Sequence, residues 1–221
     1  MTAAAIRTAL EAAAVLLYAV DGMMTAARKR MDVVGTYSLA VVTAFGGGTL
    51  RDLLVGQRPF FWVARWHYLV VIAALCVGFC YQPAIRAFAS LLYRSGAVVD
   101  ALGLALFTLT GIDAALQANL PAFVVSLIGV ITGTFGGVLR DVCSGEVPEL
   151  FRPGSLNALS AFAGSWVYLG ARALGWHGLV VAGLSFATIM TLRFVSVRWD
   201  VRAPDPVWLP RRGNDAGDRD A

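Results

Sequence analysis

Two short stretches set opposite charges beside glycines inside otherwise apolar runs: "TAFGGGTLRDLLVGQRP" at residues 43–59 and "TGTFGGVLRDVCSGEVP" at 132–148. The first places Arg51 and Asp52 just after Gly46, Gly47 and Gly48; the second places Arg140 and Asp141 just after Gly136 and Gly137. An adjacent arginine and aspartate can grip a carboxylate and an ammonium together. They can also raise and lower the barrier to a passing cation. Four more acids stand in apolar runs: Glu11, Asp21, Asp100 and Asp113. Asp21 and Asp113 lie deep in their runs, where they either face a cation or pair with Arg51 and Arg140. Glu11 and Asp100 sit near segment starts, where stabilisation of a helix N-terminus competes with a pathway role.

The elements that must hold these groups are apolar. Of 221 residues 58% are hydrophobic and only 14% charged, with a mean hydropathy of +0.69. That is far below the ~25% charged residues of soluble domains and points to a membrane protein. Seven segments approach the ~20 residues a membrane helix needs, at roughly 9–27, 33–50, 67–85, 97–117, 121–139, 154–171 and 176–193. The expected fold is all-α, with seven transmembrane helices and a polar tail over 198–221. With the N-terminus outside, 13 of the 18 basic residues fall inside, including the Arg28-Lys29-Arg30 cluster and Arg193, counted with the tail. The bias favours an external N-terminus and a cytosolic C-terminus.

The two glycine stretches are copies. At a shift of 89 residues they share G-G-x-L-R-D-x-x-x-G-x-x-P without a gap, and Glu11 falls on Asp100, Tyr18 on Phe107 and Gly22 on Gly111. Asp21 falls on Thr110, and Asp113 on Met24. A unit of three spans makes the second copy enter the membrane from the other side. The expected domains are a three-helix repeat at 5–90, an inverted one at 94–174 and a seventh helix at 175–197. Transport proteins build midplane sites from such repeats with glycine-broken helices.

Glycine costs roughly 1 kcal/mol in a helix relative to alanine, and freed backbone groups in hydrocarbon must find partners. An arginine there costs roughly 2.5–3.5 kcal/mol on insertion scales. The reading is that the second and fifth spans bend at their glycines, with the Arg-Asp pairs flanking one hydrated pathway. The competing readings are close helix packing at glycine, a loop-closing salt bridge and a mere folding unit.

Other chemistry finds no support. There is no Walker motif, G-x-S-x-G or H-E-x-x-H, so no catalytic site is expected. No cofactor motif, metal-ligand cluster or disulfide framework stands out among Cys76, Cys80 and Cys143. The scattered arginines form no nucleic-acid stripe. His67, His177, Trp62, Trp66, Tyr68 and Trp176 read as packed or interfacial residues.

"FGGGTLRDLLVGQRPFFW", "DALGLALFTLTGIDAALQ" and "GTFGGVLRDVCSGEVPELF" resemble bacterial duplicated-domain membrane proteins related to trimeric intracellular cation channels, also labelled a glycine transporter domain. The resemblance covers about residues 5–195. It implies a homotrimer in the bacterial inner membrane with one pore per subunit between the kinked second and fifth helices, where lipid can also bind. It carries Gly46, Gly47, Gly48, Arg51, Asp52, Gly136, Gly137, Arg140 and Asp141 over as pathway residues. The lysine-glutamate-valine motif of the animal channels is absent, so their lipid regulation is not carried over. Three functions remain: a potassium-type monovalent-cation channel, a carrier of glycine or a similar zwitterion, and a non-transporting structural membrane protein.

Overall fold

A computed structural model describes residues 3–59, 61, 65–93, 96–152, 156–176 and 178–199. All regular structure among them is helical: α1 (Ala3–Arg28), α2 (Val33–Leu54), α3 (His67–Tyr81), α4 (Pro83–Leu92), α5 (Gly96–Gln117), α6 (Ala122–Cys143), α7 (Asn157–Ala173) and α8 (Gly178–Trp199). A 3-10 turn, Glu149–Phe151, follows α6. Among the described residues, five helices are long and apolar enough to span a bilayer: α1, α2, α5, α6 and α8.

The count differs from seven at two places. The expected third span, 67–85, is broken: α3 and α4 meet at 105°. The break falls at Gln82, which is extended, and Pro83, which opens α4; proline disfavours a helical residue before it and suits the first helical turn. Taken as one bent span, the pair raises the count to six. The expected sixth span, 154–171, is α7, whose 17 residues fall short of the ~20 a membrane helix needs. Trp62, His177 and the tail from residue 200 lie outside the described residues.

Helix ends are built alike in both copies. Arg30 and Asn119, 89 residues apart, both take φ 55° after α1 and α5. Gly56 and Gly145, also 89 apart, both take φ 75° after α2 and α6. After α2, Gln57 N–H donates to the Asp52 carbonyl at 2.7 Å and Gly56 N–H to Leu53 at 3.2 Å. After α6, Glu146 N–H donates to Asp141 at 2.9 Å and Gly145 N–H to Val142 at 3.1 Å. This double bond is the Schellman stop, which needs a left-handed residue and is why the motif carries glycine four positions after its aspartate. Asparagine serves at 119; arginine at 30 is the costly choice, by roughly 1–2 kcal/mol.

Candidate functional site

The helices do not break at the glycines. Alpha-helix runs uninterrupted through Gly46, Gly47 and Gly48 in α2 and through Gly136 and Gly137 in α6. What the glycines provide is contact. A Cβ on Gly47 would fall on the Thr132 carbonyl of α6, and a Cβ on Gly136 would fall on the Thr43 carbonyl of α2. The two contacts are the same contact read from each copy. Glycine is required because backbone sits where a side chain would start. Both helices run unbroken through their glycines and cross there. Thr43 and Thr132 each turn their hydroxyl back to the carbonyl four residues earlier, at 2.6 Å, so neither hydroxyl is stranded in the crossing.

The crossing is antiparallel: residue 47 meets 132 and 136 meets 43. Arg140 therefore stands level with Leu39, and the two arginines lie about 18 Å apart along the axis at ~1.5 Å per residue. Each couple occupies the last turns of its helix. A carboxylate there opposes the helix dipole, so it needs a cation beside it. Arg51 Nε and Nη2 both reach Asp52 Oδ1 at 2.8 Å. Arg140 Nε and Nη2 reach Asp141 Oδ1 at 2.8 and 2.6 Å. All four residues are buried, none above 9% exposed.

The third partners differ. Arg140 Nη1 donates to Asp21 of α1. Arg51 Nη1, in the corresponding place, donates to the Thr110 hydroxyl of α5 at 3.4 Å. Asp21 and Thr110 are the same position in the two copies. Each arginine thus reaches across to the first helix of the other copy.

Around Arg140 the cluster grows. Asp141 Oδ2 accepts from the Glu149 backbone N–H at 3.0 Å, and Asp100 accepts from Arg193 of α8 at 2.7 Å. Arg193 also donates to Asn157 and lies 3.6 Å from Glu149. A cavity of about 20 Å³, room for one water, is lined by Tyr18, Asp100, Arg140, Asp141, Glu149 and Asn157 among others. Tyr18 donates to the Gly133 carbonyl at 2.6 Å.

At the Arg51 end, Glu11 pairs with Arg65 at 3.1 Å and lies within electrostatic reach of Arg51 and Asp52. Neither Glu11 nor Asp100 is in the first turn of its helix; both hold arginines instead of capping helix ends. Asp113 accepts from Tyr168 at 2.8 Å. Asp21, Asp100, Arg140 and Asp141 are brought together, whereas Glu11 stays paired with Arg65 and reaches Arg51 and Asp52 only through their fields.

Sequence reasoning missed Arg193, Asn157, Thr43 and Thr132. Arg193, whose charge the topology count adds to the tail although it falls within the expected seventh helix, is 4% exposed inside α8. An arginine within an apolar helix was itself the signal. The threonines announce themselves as a doubled small-residue spacing, Thr-x-x-x-Gly. Trp66 and Trp176 are exposed at helix ends.

The family model described as "Glycine transporter" matches residues 8–83 and again 97–173, with starts 89 residues apart. A membrane protein of Vibrio cholerae, named UPF0126 membrane protein, is 34% identical over 188 residues, covering 85% of this chain and 77% of that one. The UPF0126 inner membrane protein YadS of Escherichia coli K12 is 32% identical over 189 residues, covering 85% and 90%. Among solved structures, the TRIC trimeric intracellular cation channel orthologue from Rhodobacter sphaeroides superposes with TM-score 0.79 at 32% identity, covering 89% of this chain and 99% of that one. A second, from work on conductance through TRIC cation channels, has TM-score 0.77 at 27% identity, covering 92% and 98%.

Proposed function

The chain belongs to the family described as Glycine transporter, and from that premise we propose that it is a homotrimeric monovalent-cation channel. Potassium is the proposed ion, and each subunit carries its own pore between α2 and α6. The subunit is two inverted three-helix repeats, 5–90 and 94–174, with a seventh helix at 175–197, set in a bacterial inner membrane with the N-terminus outside and the C-terminus cytosolic. The reciprocal contacts Gly47–Thr132 and Gly136–Thr43 support the inversion.

The observation that carries the reading is the buried Arg-Asp couple at each end of one crossing, about 18 Å apart. Charges so placed in a membrane protein mark pathways more readily than lipid faces. The Arg140 end sets four carboxylates, Asp21, Asp100, Asp141 and Glu149, against two guanidiniums, Arg140 and Arg193. That excess favours a cation. Glycine or a like zwitterion is the second reading, favoured by the family's description and by the fitness of an arginine–aspartate couple for a carboxylate and an ammonium.

Planar-bilayer recording in potassium chloride separates them. Unitary current steps are expected; glycine flux that saturates, with no steps, overturns the channel. Crosslinking in native membranes should stop at three subunits, and a ladder stopping at two removes the trimer.

A further inference from the structure

The end of the molecule that holds the α1–α2 loop carries two adjoining grooves, of about 420 and 460 Å³. They lie where the α1–α2 loop faces the α3–α4 break and share Ala27 and Arg86. Arg30 opens on one and Arg28 on the other, so three guanidiniums surround them. One acid, Asp32, lines the first groove, and its Oδ1 is engaged at 2.7 Å by Gly35 N–H as the cap of α2. Lys29 is drawn off by Glu146 at 2.8 Å.

Two further features point to a membrane ligand. α4 turns away from α3 by 105° and exposes Ile85, Phe88 and Leu91 at helical spacing, the form of a helix lying in the interface. Arg30 holds a left-handed conformation for which the other copy uses Asn119. A charge kept where asparagine is conformationally better has work to do beyond ending a helix.

We propose that these grooves bind the phosphate headgroup of an anionic phospholipid of the adjoining leaflet, between Arg28, Arg30 and Arg86, with an acyl chain along Phe88 and Leu91. Phosphate matches guanidinium forks in charge and geometry, and surface arginines draw anionic lipid. The loop of the second copy, "QANLP" at 117–121, has no basic residue, so the site exists on one side only. It rests on membrane placement alone, and its test reads no conduction.

The test is native mass spectrometry of the full chain in neutral detergent, titrated with phosphatidylglycerol, phosphatidylcholine or inorganic phosphate. Phosphatidylglycerol is expected to bind at about tenfold lower concentration than phosphatidylcholine, with no adduct from inorganic phosphate. Arg30→Asn with Arg86→Gln should abolish that preference, while Arg30→Asn alone should melt no lower than the parent. Arg58→Gln, in the loop after α2, should change nothing. Retention of the preference in the double variant, its equal loss in Arg58→Gln, or equal binding of inorganic phosphate overturns the proposal.

Discussion

The two ends of the α2–α6 crossing repeat the same couple against different third partners. Arg140 meets the carboxylate of Asp21; Arg51, in the matching place, meets the hydroxyl of Thr110. Everything that builds the crossing recurs at a shift of 89 residues: the glycine seats, the threonine back-bonds and the left-handed helix stops. The duplication thus keeps the backbone geometry in both halves and lets the charges diverge on it. A unit charge at ~4 Å changes a cation's energy by about 4 kcal/mol at an effective dielectric of 20. One carboxylate is therefore enough to make the two ends unlike.

The largest effect is expected where the halves are alike. Gly47→Ala and Gly136→Ala each drive a methyl onto a backbone carbonyl that cannot swing aside. Each should cost about 1–3 kcal/mol or more and remove most folded protein from a detergent size-exclusion profile after mild heating. Gly137→Ala, whose Cβ would meet only Arg140 Nη2 at 3.9 Å, should be tolerated. Equal tolerance of all three would dissolve the crossing as the common scaffold.

Asp21→Asn and Thr110→Val test the difference itself. Asp21→Asn strips a buried guanidinium of a partner and should cost about 3 kcal/mol; Thr110→Val should cost about 1 kcal/mol. Melting temperatures that fall equally would erase the contrast.

Flux is the next measurement. Arg51→Ala and Arg140→Ala should raise potassium flux per folded protein in vesicles, and Asp52→Asn and Asp141→Asn should lower it. About 1.4 kcal/mol is a tenfold change in occupancy. Asp141→Asn should also loosen the α6–α7 turn, because Asp141 Oδ2 holds the Glu149 N–H. Four variants that fold and conduct like the parent would reduce both couples to staples.

The smallest effect lies at the surface. The hydrogen bond and charge of Lys29 hold the Glu146 carboxyl below its ordinary value of 4.5. A depressed acid stabilises the fold above its unfolded pKa, and that contribution is lost as pH falls through the folded value. The parent and Glu146→Gln should therefore differ slightly in melting temperature at pH 7 and converge below about pH 4.5, since exposed pairs contribute little.

The sequence alone carried the helical membrane class, in its hydropathy, and the duplication, in a gapless motif that the family model also meets twice, 89 residues apart. It carried the Arg-Asp couples too, because neighbours in the chain at a helix end are held within reach. The break at Pro83 is legible as well, as a proline inside the apolar run 67–85. Two things came only from the tertiary structure. Glycines in a row look the same whether they break a helix or seat another, and only the Thr43 and Thr132 carbonyls against Gly136 and Gly47 distinguish the two. That Arg140 pairs with Asp21, and Arg193 with Asp100 and Asn157, follows from helices brought side by side across 119, 93 and 36 residues of chain. Local spacing sets which face of a helix a side chain leaves from; which helix it meets is decided by packing.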